Sequence, residues 1–179
     1  VKGGVDSLNS PLPSFDVMIT SPPYLQAQEY IRTFKLGLFW LGYDDSQVRA
    51  LERKEIPYNN PPPVKVESDI YDEYLEKVQG LGRPSLVRIY TSYFHSLVSF
   101  LNRVDCRVMG LFVGPVKMRH FRVPIDEILR EHLETRGWRH EVTYIDTIVS
   151  RRIKKVDVNP ATGLSDERTP TEHLLVMSK

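Results

Sequence analysis

Phe15 to Thr20 (Phe-Asp-Val-Met-Ile-Thr) runs straight into Ser21-Pro22-Pro23-Tyr24, and this junction limits the possible folds more than any other feature of the chain. The run is short, almost continuously apolar and contains β-branched side chains. That pattern predicts a strand buried on both faces of a parallel sheet. Two consecutive prolines offer no N–H to a ladder, so the strand must stop there. In an open parallel sheet, ligands bind beyond the carboxyl ends of the strands. The stop therefore stands where a site belongs.

The remaining pattern alternates. Tyr30, Ile31, Phe34, Leu38 and Leu41 recur at helical spacing between Gln28 and Leu41, with Gly42 as a stop. On this reading Tyr30, Phe34, Phe39 and Trp40 are core residues, and Arg32 and Lys35 lie on a solvated face. Ser46 to Lys54 forms a short amphipathic helix, and Pro57 to Pro63 a surface loop. Ser68 or Asp69 caps a helical region reaching Val104, split into two helices by Gly80, Gly82 and Pro84. Cys106 to Val113 is a second buried strand, ended by Gly114-Pro115 on the same side of the sheet as Ser21. Pro124 opens a helix with core face Ile125, Ile128, Leu129, His132 and Leu133, closed by Gly137. His140 to Val149 and His173 to Met177 are strands with no helix between them, which predicts an antiparallel pair at the sheet edge. The expected fold is doubly wound α/β, one domain over residues 1–179, with 43–65 as an insert or recognition loop.

Composition removes several classes. No apolar stretch approaches the roughly 20 residues of a membrane span, and no signal-peptide pattern opens the chain. Cys106 is the only cysteine, which excludes an intramolecular disulfide and a multi-cysteine zinc site. The histidines show no metal-ligand spacing, so no metal is expected. A reduced, cytoplasmic protein follows. Net charge is only +1, so attraction to a polyanion must be local. Arg151, Arg152, Lys154 and Lys155 form one strip, and Arg119, His120 and Arg122 a smaller cluster after the second strand. Together they can flank a nucleic-acid groove.

The proline stop suits one kind of chemistry. The lone pair of an exocyclic amine on a nucleobase is delocalised into the ring, which makes it a poor nucleophile. Acceptors placed on both N–H bonds favour the tetrahedral form and aim its lone pair. Ser21 Oγ is one such acceptor and the Pro22 carbonyl the other, held by the stiff Pro22-Pro23 backbone. Tyr24 supplies a flat ring for an extruded base.

Asp-Val-Met-Ile-Thr-Ser-Pro-Pro-Tyr resembles motif IV of the S-adenosylmethionine (AdoMet)-dependent DNA amino-methyltransferases of restriction-modification systems. The Ser-initial form is more typical of cytosine-N4 than of adenine-N6 enzymes. Glu29 to Leu36 with Leu38 to Gly42 is similar to the helix after that loop in one branch of the family. Thr162-Gly163, Glu167-Arg168 and Glu172 to Val176 are similar to its last hairpin. The resemblance implies a partial Rossmann-like AdoMet methyltransferase sheet, AdoMet as cofactor, DNA as partner and base flipping. Gly4-Val5-Asp6-Ser7-Leu8 resembles the stretch that often precedes motif IV, which implies a cofactor contact through Asp6, with Thr20 and Ser21 beside it.

The family's Phe-x-Gly-x-Gly loop does not occur in the chain. The expectation is that the cofactor-binding N-terminal half lies elsewhere, in a longer polypeptide or a separate subunit. Asp16 is read as opening the strand. Cys106, inside a strand with no proline before it, argues against cytosine-C5 methylation. The favoured reading is methyl transfer to an exocyclic amine of a DNA base. A silent DNA-binding or specificity subunit of the same fold is the alternative. An RNA or protein-glutamine substrate is less favoured, since those relatives usually carry Asn or Asp at the position of Ser21.

Overall fold

A computed structural model describes residues 10–25, 30–147 and 171–179. In chain order the elements are β1 (Phe15–Thr20), α1 (Tyr30–Trp40), α2 (Asp45–Glu52), α3 (Asp69–Gly80), α4 (Pro84–Leu101) and β2 (Cys106–Phe112). There follow β3 (Val116–Met118), β4 (Phe121–Val123), α5 (Ile125–Thr135), β5 (Arg139–Thr147) and β6 (Thr171–Ser178). The fold is α/β with a mixed four-stranded sheet in the order β1-β2-β6-β5, plus a small β3-β4 hairpin. β1 and β2 are parallel, while β6 runs antiparallel to both β2 and β5. The carboxyl ends of β1, β2 and β5 therefore share one rim with the start of β6.

The core lies on one face of this sheet. Met109 and Leu111 of β2 and Leu175 and Met177 of β6 are fully buried, in one cluster with residues of α3, α4 and α5. On α4 the buried residues Leu86, Tyr90, Tyr93, Phe94, Leu97, Val98 and Leu101 repeat at three and four, and Pro84 fits its first turn. The α3 start is fixed by Ser68, whose hydroxyl accepts from the Tyr71 N–H and donates to Glu131 of α5. Gly137 follows α5 with φ +82°, a left-handed position that a residue without Cβ takes freely. Among the described residues no helix is long and apolar enough to cross a membrane.

Three expectations need correction. β1 is an edge strand, not one buried on both faces: Val17 is 56% and Ile19 69% exposed. Its second apolar face is real, but none of the described elements covers it. α1 forms where its periodicity places it, yet none of its side chains is buried, and Trp40 is 85% exposed. Tyr30, Phe34 and Phe39 are exposed with it. Periodicity says which side chains share a face, not whether anything packs on that face. The loop around Pro57 also lies less on the surface than expected, since Pro57 is buried and Asn59 bonds Ser96 of α4. The β3-β4 hairpin has strands of three residues, too short to register as a period.

Candidate functional site

The segment after β1 is pinned at two points. Thr20 is half-buried, paired beside Leu111 of β2; Ser21 is exposed, Pro22 buried, Pro23 half-buried, Tyr24 exposed and Leu25 fully buried. Pro22 and Leu25 anchor the turn in the core, and the prolines leave the backbone little freedom. Ser21 and Tyr24 are thereby presented at the carboxyl rim.

Across the rim, the Tyr24 hydroxyl donates to Glu172 Oε1 at 3.4 Å. Glu172 is the second residue of β6 and pairs with Asp146 of β5. Partial burial pushes the Tyr24 phenol above its ordinary value, and the Glu172 charge and hydrogen bond push it the same way. Tyr93, fully buried in α4, also titrates upward, through burial and then through Tyr24.

The residues flanking Glu172 form a buried chain. His173 Nδ1 lies 2.7 Å from Asp126 Oδ2, and His173 Nε2 lies 2.9 Å from Thr171 Oγ1. With Asp126 as a carboxylate, Nδ1 donates to it, and Nε2 of the neutral ring accepts from the Thr171 hydroxyl. Asp126 stands in the first turn of α5, where the helix dipole favours negative charge; its Oδ1 is buried with no hydrogen-bond partner among the described residues. Gly114 lies against the same strand start, since a Cβ there would sit 3.4 Å from the Thr171 carbonyl oxygen. The Val113 N–H also donates to the His173 carbonyl.

None of Thr171, Glu172, His173 and Asp126 was singled out for a role from the sequence. A signal existed: once the last two strands pair antiparallel, the first residues of the second must lie at the same rim as Ser21.

Other candidates fall in different places. Arg119 (φ +58°) and His120 form the tip of the β3-β4 hairpin, with His120 exposed. Arg122 lies within β4, half-buried and paired beside Lys117, so it is not a surface companion of the other two. Buried Met118 and Val123 anchor the hairpin, with Phe121 edge-on to Tyr74 of α3. Asp6 and Arg151, Arg152, Lys154 and Lys155 lie outside the described residues, so the basic groove is not assembled among those described. Asp16 is exposed in β1, and Lys35 pairs with Asp45. A cleft of about 430 Å³ away from the rim is lined by Arg32, Arg53, Arg88, Glu52, Glu55 and Tyr58. Cys106 is buried and burial pushes its thiol upward, the opposite of what a nucleophilic thiolate requires.

No protein-family model matches the chain, and no solved structure matches it. Over 43 residues, 24% of the chain, it is 42% identical to the type II methyltransferase M.BsoBI of Geobacillus stearothermophilus. The matched stretch spans 8% of that protein. Over those residues, the chain is similar to a methyltransferase.

Proposed function

We propose that the chain is the target-base part of an AdoMet-dependent DNA amino-methyltransferase, with cytosine N4 favoured over adenine N6. The observation that carries this reading is the anchoring of the Ser-Pro-Pro-Tyr turn, with Ser21 and Tyr24 exposed at the carboxyl rim while Pro22 and Leu25 are buried. The partial likeness to a type II methyltransferase supports it. In this role Ser21 Oγ and the Pro22 carbonyl accept the two N–H bonds of the exocyclic amine, and the Tyr24 ring stacks on the flipped base. Arg119 and His120, with the strip at 151–155, contact phosphates.

The described residues do not fit AdoMet. Gly114, the glycine at the rim, is packed against the Thr171 and His173 backbone and leaves no cradle. AdoMet is therefore assigned to a separate half or subunit, and the role of this chain is to hold and orient the base. The test is Ser21→Ala in the complete protein, read as methyl transfer to duplex DNA. Loss of one preorganised acceptor lowers the rate by about 10²–10³. Full retention of activity refutes the assignment.

The same lack of a cradle favours a second reading, a silent DNA-binding subunit. Calorimetric titration of AdoMet into the complete protein separates the two, since a silent subunit gives no binding heat.

A further inference from the structure

The face of the sheet opposite the core is apolar and bare. Val17 and Ile19 of β1 stand beside Val108 and Gly110 of β2 in the parallel register. A Cβ on Gly110 would touch both Ile19 and Leu174 of β6, and Leu174 pairs beside Tyr144 of β5. Val108, Phe112 and Tyr144 are exposed along with Val17 and Ile19, so the patch crosses all four strands. Contiguous apolar surface on this scale marks an interaction site. Among the described residues β1 pairs only with β2, which leaves its outer edge open as a template for another strand.

We propose that this edge and face are the docking surface for a separate α/β module, which adds a strand parallel to β1 and lays an apolar helix over Val17 and Ile19. The proposal rests on the function proposed above and makes this module the half that holds AdoMet. Three observations favour it over a second copy of the chain. A ligand crevice in an open α/β sheet forms at a switch point, with strands on both sides, whereas the Ser21 turn follows an edge strand. A twofold pairing of β1 with its own copy runs antiparallel and sends the two Ser21 turns to opposite rims, so neither gains a crevice. More than nine-tenths of the methyltransferase relative lies outside the matched stretch, which leaves ample chain for such a module.

Maleimide labelling tests this without reference to activity. Cys106 is buried and gives a low background. Val17→Cys and Phe112→Cys are compared with Ser85→Cys, an exposed position on α4, in the complete protein and in the 179-residue chain alone. Docking makes the first two react about tenfold or more slowly than Ser85→Cys in the complete protein, because labelling must then wait for local opening. In the isolated chain all three react alike. Equal reactivity in the complete protein overturns the proposal. So does protection in the isolated chain: with doubled mass it identifies a second copy, and with monomer mass a segment of this chain. The comparison within the complete protein stands even if the isolated chain fails to fold. Protection with an active Ser21→Ala variant sinks the methyltransferase reading alone.

Discussion

The Tyr24 hydroxyl reaches 3.4 Å to Glu172 Oε1, joining the turn after the first strand to the head of the last. The bond is long and partly exposed, so it contributes well under about 1 kcal/mol to stability. Its consequence is positional, because it ties the ring offered for stacking to a strand held by the Asp126–His173–Thr171 chain.

Glu172→Gln removes the negative charge near Tyr24 and keeps an acceptor. The Tyr24 phenol should then ionise at lower pH than in the parent, yet remain above the ordinary phenol value, since burial is the larger cause of its shift. NMR titration of ¹³C-labelled tyrosine reads this directly. An unmoved Tyr24 resonance would show that Glu172 does not act on it.

Stacking and hydrogen bonding at Tyr24 are separable. In the complete protein Tyr24→Phe keeps the ring and should retain most methyl transfer, while Tyr24→Ala loses a stack worth about 1–3 kcal/mol, roughly ten- to hundredfold. Equal activity of the two variants would exclude a stacking role.

His132 is fully buried, its Nδ1 accepting from the Glu67 N–H at 3.0 Å and its Nε2 facing Asn102 Oδ1 at 3.0 Å. Burial, then Arg136, lowers its folded-state pKa from 6.5, and burial lowers that of His95 in the same sense. The unfolded chain therefore binds more protons just below pH 6.5. Stability is full above that pH and declines as pH falls from 6.5 through the lowered folded values, then levels off. Urea midpoints measured from pH 8 to pH 5 should fall, and His132→Gln should flatten part of that slope. A slope unchanged in the variant would exclude His132 as a source.

The aromatic centre sets the scale of core stability. The Tyr90 hydroxyl donates to the Tyr71 carbonyl at 2.9 Å, and its ring lies 4.9 Å from that of Phe94. Tyr90→Phe should cost about 1–2 kcal/mol for the lost buried hydrogen bond. Phe94→Ala should cost about 3–5 kcal/mol for the cavity among Tyr71, Tyr90 and Tyr93. Urea denaturation monitored by circular dichroism orders the two, and the reverse order would contradict this packing.

The sequence alone determined what depends on neighbours along the chain. The Phe15–Thr20 strand, its stop at Pro22-Pro23, the helices from Ser68 to Leu101, the α5 core face and the antiparallel final pair all follow from local period, proline geometry and caps. Whether a face is covered depends on elements far away in the chain, so only the tertiary structure decided that β1 is an edge and that α1 is unburied. It alone brought Glu172 to Tyr24 across 148 positions, and Asp126 to His173 across 47. Such contacts are fixed by strand order and register, for which no run of adjacent residues carries a signal.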